Sequence, residues 1–148
     1  MRLRELKPED APVVAVLCTQ MGYSADEKAV AERLEAIGGR PDHRLIGAEH
    51  EGQLIGWTHV HADWSIETGF EAELHGLVVD EMQRGLGIGR ALIGEAAEWA
   101  FKKGCSRLRV RTNVIRMRAG DFYRRAGFRE VKRQLVLDLP LAGTGAAE

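Results

Sequence analysis

Three glycines at alternate positions mark the stretch QRGLGIGRAL, residues 83–92. Glycine allows a turn to adopt positive φ and allows a ligand to approach the backbone closely. The stretch follows the apolar run LHGLVV and leads into GRALIGEAAEWAFKKG, which is typical of a helix. The first N–H groups of a helix lack intrahelical acceptors and lie at the positive end of its dipole. The sequence therefore predicts a phosphate-binding turn, to which Arg84 and Arg90 would add charged donors.

Two common phosphate-binding motifs do not fit this turn. A P-loop requires Lys and then Ser or Thr after its second glycine, and residues 84–92 contain neither. The dinucleotide motif G-x-G-x-x-G is excluded because the third glycine, Gly89, comes too early. The turn also follows the fourth predicted strand rather than the first. A tight glycine turn that binds no ligand is the alternative.

The remaining pattern predicts the elements that position this turn. Ser24 is the expected cap of a second helix, Glu51-Gly52 the tight turn of a hairpin, and Gly104 a helix end. The predicted elements are a strand at 3–7, helices at 11–21 and 25–37, strands at 43–50, 53–62 and 70–79, a helix at 87–103, a strand at 106–112, a helix at 118–127 and a strand at 128–139. This order predicts an α/β or α+β sheet with helices on its faces.

Composition restricts the class of protein. The 148 residues suit one core, and the 45% hydrophobic and 29% charged residues are typical of a globular domain. A net charge of -1 does not favour nucleic acid or anionic membranes as partners. The charged N-terminus does not resemble a signal peptide, no apolar run is long enough to span a membrane, and two cysteines cannot form a disulfide framework. We expect a cytoplasmic protein with one domain at 1–142 and a flexible tail at 143–148.

The turn resembles a known signature. The stretch RGLGIG at Arg84–Gly89 is similar to the Arg/Gln-x-x-Gly-x-Gly/Ala motif of the GNAT superfamily of N-acetyltransferases, which binds the pyrophosphate of acetyl-coenzyme A (acetyl-CoA). The stretch RAGDFYRRAGF at Arg118–Phe128 is similar to that family's second motif, Ala-x-x-Phe-Tyr-x-x-x-Gly-Phe. The resemblance implies a central mixed, mostly antiparallel sheet with splayed parallel strands 4 and 5 and helices on both faces.

The resemblance also implies a coenzyme site. The backbone of the fourth strand at Leu77, Val78 and Val79 is expected to pair with the pantetheine arm as an added strand. Asn113 matches an Asn that contacts pantetheine, although it can instead be a turn or cap residue. The residues expected around the pyrophosphate are Arg84, Gly85, Leu86, Gly87, Ile88, Gly89 and Arg90.

The same resemblance implies an acid and a base. Tyr123 matches a Tyr that protonates the departing thiolate, the alternative being a core aromatic residue beside Phe122. Glu73 stands where several family members carry a general base that deprotonates the amine. Strand alternation puts Glu73, His75, Leu77 and Val79 on one face, so Glu73 and His75 can share a proton route. A solvated charge and a buried core histidine are the alternatives for these two residues.

Neither a metal nor a particular acceptor follows from the sequence. His59 and His61 share a strand face, but no carboxylate or cysteine joins them at ligand spacing, so we expect no metal. The carboxylates around the third and fourth strands favour a small cationic amine if they rim the site, and are otherwise a solvated loop. They are Asp63, Glu67, Glu71 and Glu73.

Three functions fit these observations. The first is acetyl-CoA-dependent N-acetylation of a small-molecule amine. The second is acetylation of a protein or peptide on the same fold. The third is a non-catalytic acyl-CoA-binding module, against which the presence of Glu73 and Tyr123 argues. Dimers are common in this family, which implies a possible homodimer.

Overall fold

The computed structural model describes residues 1–113 and 117–142. Internal contacts divide the chain into two units, Met1–Asn113 and Val114–Glu148. The predicted tail at 143–148 lies outside the described residues, and the prediction of a single domain over 1–142 stays a prediction. The elements are β1 Arg2–Glu5, α1 Ala11–Gln20, α2 Glu27–Ile37, β2 His43–His50, β3 Gln53–Ser65, β4 Gly69–Val79, α3 Ile88–Lys103, β5 Leu108–Val110 and α4 Met117–Arg125.

The first unit contains a mixed sheet of the predicted kind. Its five strands lie in the order β1-β2-β3-β4-β5. The pairs β1–β2, β2–β3 and β3–β4 are antiparallel, whereas β4 and β5 are parallel. The antiparallel pair β2–β3 turns at Glu51-Gly52, where both residues have positive φ (52° and 79°), as in a type I′ hairpin turn.

Helices cover both faces of this sheet. On one face, a Cβ at Gly56 would lie 3.4 Å from Ile88 Cγ2 and 3.5 Å from Leu92 Cδ1 of α3. On the other face, Leu45 packs with buried residues of α1 and α2, and Trp57 lies partly buried against this cluster. We name the two sides the α3 face and the α1–α2 face.

Two local predictions need correction. The N-cap of α2 is Asp26 rather than Ser24, because the Asp26 carboxylate accepts a hydrogen bond from the Ala29 amide at 3.0 Å. The helix consequently begins two residues later than predicted. The fifth strand is also shorter than the predicted 106–112, because only Ala72–Leu74 of β4 pair with it.

A β-bulge changes the alternation of β4. Leu74 lies opposite Val60 of β3. The neighbouring β3 residue, His59, lies opposite Gly76, so His75 is an extra residue without a partner on β3. Leu77 then lies opposite the fully buried Thr58, on the α3 face.

The expectation that Leu77 and Val79 share a face with Glu73 is therefore wrong. After the bulge, Val78 takes that face, opposite Trp57. The Thr58 hydroxyl donates a hydrogen bond to the Gly76 carbonyl, which satisfies a backbone acceptor at the bulge.

The second unit contains α4 close to its predicted position. The helix ends before Gly127, whose φ of 104° is typical of a glycine after a helix. The predicted final strand at 128–139 is wrong, because residues 128–141 form neither strand nor helix. Alternating apolar residues favour an extended chain, but a strand also needs a neighbour for its hydrogen bonds, and the described part of this unit offers none.

Two further observations concern the whole described chain. Among residues 1–113 and 117–142, no helix combines the length and the apolar composition needed to cross a membrane. Cys18 and Cys105 are both free thiols, and partial burial raises the pKa of each thiol above its ordinary value.

Candidate active site

The glycine turn connects β4 to α3 as predicted. A short 3-10 turn at Glu81–Gln83 follows β4, and Gly87 is the N-cap of α3. Gly85 and Gly87 have φ of 85° and 80°, the left-handed region that favours glycine. A Cβ at either position would meet no described heavy atom within 4 Å. Open space therefore lies beside the backbone at the start of a sixteen-residue helix, where its unpaired N–H groups attract an anion.

The side chains of the turn have different environments. Ile88 is 4% exposed and packs towards Gly56, so only its backbone faces outwards. Leu86 is 70% exposed. Arg84 Nε donates to the Val79 carbonyl at 3.4 Å, and its Nη2 lies 3.5 Å from Met21 Sδ. Arg84 therefore holds the turn against the end of β4, whereas Arg90 is exposed on the first turn of α3.

The edge of β4 is open beyond its short pairing with β5. The ladder ends at Leu74 and Val110, whereas β4 continues for five residues to Val79. Within the described residues, no strand pairs with the segment 75–79 on this side. The edge at Leu77, Val78 and Val79 can thus accept an extended ligand by strand addition. Asn113 is exposed three residues after β5.

Glu73 and His75 lie together on the α1–α2 face. Glu73 is partly buried, and its Oε2 accepts a hydrogen bond from Arg111 Nε at 3.1 Å. Partial desolvation lowers the pKa of His75, the attraction of Glu73 opposes this shift, and His61 and Arg111 lower the pKa further. His75 is consequently neutral at neutral pH and able to accept a proton.

Four histidines form a cluster on this face. The rings of His43 and His61 stack with centroids 4.0 Å apart, and those of His59 and His75 lie 5.1 Å apart. His43 Nδ1 and His59 Nε2 are 2.9 Å apart and share a hydrogen bond. Burial, followed by repulsion from neighbouring histidines, lowers the pKa of His59 to about 4. Burial and His61 also lower the pKa of His43.

The acidic residues of the third and fourth strands are partly neutralised. Glu71 Oε2 lies 2.6 Å from Arg107 Nε, and Glu73 has Arg111 as its partner. Asp63 accepts a hydrogen bond from the Trp64 amide at 2.8 Å. This arrangement weakens the expected negative rim, because two of its four carboxylates form ion pairs.

Tyr123 belongs to the second unit. It lies near the end of α4 and is partly buried. Its ring makes edge contacts with Phe122 and Phe128, with centroids 5.4 and 5.5 Å apart. These contacts fix the ring within its own unit, and its role at the coenzyme sulfur stays a prediction.

Four residues near the site were not predicted from sequence. Arg111 forms an ion pair with Glu73, and the Thr58 hydroxyl donates a hydrogen bond to the Gly76 carbonyl at the bulge of β4. Asp42 and His43 lie beside His61. The parallel register puts Arg109 opposite Glu73 and leaves Arg111 just beyond the β4–β5 ladder, and the register between two strands is not visible in the sequence pattern.

Comparison with protein families identifies the chain. A family model described as "Acetyltransferase (GNAT) family" matches residues 9–128 and spans parts of both units. The chain therefore belongs to the acetyltransferase (GNAT) family and is classed with the acyl-CoA-dependent N-acetyltransferases. This confirms the family that the two sequence motifs indicated.

Three curated relatives cover different shares of the chain. An uncharacterized N-acetyltransferase of Methanocaldococcus jannaschii is 38% identical over 62% of this chain but only 41% of its own length. An aminoglycoside N(6')-acetyltransferase of Stenotrophomonas maltophilia is 25% identical over 94% of this chain and 93% of its own. A thialysine N-epsilon-acetyltransferase of Bos taurus is 32% identical over 87% and 84%, respectively.

The fold also has a match among solved structures. An aminoglycoside antibiotic 6'-N-acetyltransferase of Acinetobacter baumannii superimposes with a TM-score of 0.83, covering 95% of this chain and 99% of that chain. The two sequences are 14% identical. The agreement confirms the predicted GNAT fold.

Proposed function

We propose that the chain transfers the acetyl group of acetyl-CoA to a primary amine of a small molecule. The open glycine turn at the start of α3, directly after the unpaired edge of β4, is the observation that carries this proposal. The family membership supplies the reaction class.

The described residues fit the coenzyme. Its pyrophosphate needs several donors and space against the backbone, and the positive-φ glycines leave that space beside the N-terminus of α3. Its pantetheine arm carries amides that need backbone partners, and the edge at Leu77, Val78 and Val79 lies next to this turn. The bound thioester supplies an activated acetyl carbon.

The proposed proton acceptor is Glu73, with His75 as the alternative. An amine that arrives protonated must lose a proton before its nitrogen can attack the carbonyl carbon. Arg111 occupies Glu73 Oε2 and thereby orients the carboxylate, so that Oε1 is the atom we assign to the proton. The neutral His75 ring, on the same face, can take this proton directly or through water.

We also propose Tyr123 as the acid that protonates the coenzyme sulfur when the C–S bond breaks. A tyrosine hydroxyl is protonated at neutral pH, whereas a thiol with a reference pKa of about 8.5 is a fair leaving group without help. Tyr123→Phe should therefore lower turnover by about tenfold to a thousandfold, the lower part of what acid catalysis supplies. Steady-state rates with saturating acetyl-CoA measure this effect.

The control for this variant is Tyr23→Phe, which changes the only other tyrosine of the chain. Tyr123→Phe keeps the ring contacts with Phe122 and Phe128, so folding and coenzyme affinity should be unchanged. Equal turnover of Tyr123→Phe and wild type, with chemistry shown to limit the rate, would make Tyr123 a packing residue.

A small-molecule acceptor is favoured by the relatives that align over most of their own length. Their names specify an aminoglycoside and thialysine, both small amines. A protein or peptide acceptor is the second candidate on the same fold. The acceptor amine arrives protonated and is therefore cationic. Because Glu71 and Glu73 already form ion pairs, they leave less negative charge to bind a further cationic group of the acceptor.

The decisive experiment is a screen of amines with acetyl-CoA, followed by thiol release. Acetylation of a polyamine, amino sugar or amino acid, but not of peptides, supports the proposal. Acetylation of peptide amines alone would favour the second candidate. Binding of CoA in calorimetry without acetylation of any amine would favour a non-catalytic module, and binding of ATP or NAD in place of CoA would refute the coenzyme assignment.

We further propose that transfer itself needs no metal, that the enzyme acts in the cytoplasm, and that it forms a homodimer. The general base and the acid together account for the protons of the reaction. The free thiols Cys18 and Cys105 fit a reducing compartment. The dimer follows from the family resemblance, and sedimentation of the purified chain tests it.

A further inference from the structure

The histidine cluster contains a group of ligands that the proposed transfer does not use. His43 lies at the start of β2 and is the cross-strand partner of His61 on β3. The preceding residue, Asp42, is fixed at the same point, because its carbonyl accepts a hydrogen bond from the Ala62 amide at 2.8 Å. Three side chains that can ligate a metal therefore meet at one end of the β2–β3 pair.

Their donor atoms converge. One oxygen or nitrogen from each of Asp42, His43 and His61 lies within 4.8 Å of the other two. Asp42 Oδ2 is 3.4 Å from His61 Nε2, and Asp42 Oδ1 is 3.9 Å from His43 Nε2. The stacked rings thus present the same nitrogen, Nε2, to one carboxylate.

These separations are close to those of a tetrahedral site. Bonds of about 2.0–2.2 Å from zinc to nitrogen and oxygen place neighbouring ligand atoms about 3.3–3.5 Å apart. The pair Asp42 Oδ2–His61 Nε2 already has this spacing, and His43 Nε2, which lies 3.9 Å from the other carboxylate oxygen, is about half an ångström further away. The half-exposed Asp42 side chain can provide that closure by rotation about its side-chain bonds. An imidazole binds a metal in its ring plane, and the planes of His43 and His61 differ by only 9°, so metal binding also requires one ring to rotate out of the stack.

We propose that Asp42, His43 and His61 bind a divalent transition-metal ion of the zinc type. Two imidazoles and one carboxylate favour zinc, cobalt, nickel or copper over magnesium or calcium, which prefer oxygen ligands. Three protein ligands leave a fourth position for water or another small ligand. The ion would connect the start of β2 to β3, on the face that carries Glu73 and His75.

His59 supplies a partner behind the ligands. A histidine that binds metal through one nitrogen almost always donates a hydrogen bond from the other, which fixes its tautomer. His43 has this arrangement, because its Nδ1 lies 2.9 Å from His59 Nε2 while its Nε2 points towards Asp42. Ion pairing of His43 and His61 with Asp42 would not by itself require the hydrogen bond between His43 and His59.

The test uses untagged protein, stripped with chelator, and Co²⁺ as a visible probe for the zinc-type ion. Wild type should bind one equivalent of Co²⁺ with the absorption bands of a four-coordinate ion, and Zn²⁺ should displace it. His61→Ala should abolish the bands. His59→Phe, which removes only the partner behind His43, should weaken Co²⁺ binding by about ten- to hundredfold.

Two variants keep the test decisive. His50→Ala removes the one histidine that lies outside the cluster, at the far end of β2, and should bind like wild type. Asp42→Asn alters an exposed carboxylate, so it should fold normally, as circular dichroism verifies, and yet lose Co²⁺ affinity. The proposal is overturned if wild type binds no Co²⁺, if His50→Ala loses binding as much as His61→Ala, or if a thiolate-to-cobalt band shows that Cys18 or Cys105 is a ligand.

Discussion

Gly87→Val should abolish measurable binding of acetyl-CoA while leaving a folded protein. Gly87 has φ of 80°, and its missing Cβ faces open space rather than other side chains. A valine there would fill the space assigned to the pyrophosphate with a branched side chain. It would also impose the cost of left-handed backbone on a non-glycine residue, about 1–2 kcal/mol. Calorimetric titration with CoA measures the loss.

The matched control is Gly39→Val. Gly39 also has φ of 80° and also faces open space, but it lies after α2, away from the turn. Both variants should lose a similar amount of stability in urea unfolding, since both carry the same backbone strain. Only Gly87→Val should lose CoA affinity. If the two variants bind CoA equally well, the pyrophosphate does not occupy the turn.

Glu73→Gln should lower turnover by about a hundredfold or more, the size of effect expected when a general base is lost. Glutamine keeps the shape of the side chain and can still accept a hydrogen bond from Arg111, but it cannot hold a proton at neutral pH. CoA affinity should be nearly unchanged, because the glycine turn lies eleven residues further along the chain. Steady-state rates against pH, with the best amine from the screen, provide the measurement.

The matched control is Glu71→Gln. Glu71 lies two residues earlier on β4 and pairs with Arg107 of the chain segment leading into β5, much as Glu73 pairs with Arg111. Loss of an ion pair alone would therefore affect both variants similarly. If Glu73→Gln keeps the wild-type profile, the base is His75 or water. His75 as the base would place the midpoint of the acidic limb of the pH–rate profile below the ordinary histidine value of about 6.5, because partial desolvation lowers the pKa of His75.

Most of the first unit could be predicted from local sequence signals. Gly104 ends α3 with φ of 92°, and Glu51-Gly52 forms the hairpin turn, because such positions depend on backbone preferences of single residues. The final strand was predicted wrongly, since strand formation depends on a partner elsewhere in the chain. The cap of α2 moved from Ser24 to Asp26 because both residues can cap and only the packed helix selects one.

The candidate site was predictable where it depends on the backbone and not where it depends on register. The glycine turn follows from residue types alone. By contrast, counting from the Glu51-Gly52 turn places His43 opposite Val60. A bulge between Ala48 and Glu49 shifts the register by one residue and brings His43 opposite His61. A shift of one residue transfers each side chain to the other face, so the sequence pattern did not reveal the ligand group at Asp42.

The bulge at His75 determines how far β4 can vary in length. Leu74 and Leu77 are three residues apart, yet both lie on the α3 face because the bulge absorbs one residue between them. Deletion of that residue would restore simple alternation and leave Leu77 on the α3 face and Val78 on the histidine face, because Gly76 already lies opposite His59. A deletion at His75 would thus remove only the extra residue and its imidazole, while the second half of the strand would keep its pairing with β3. Libraries that aim to change acceptor choice can therefore include deletion of His75 beside randomisation of Glu73 and His75.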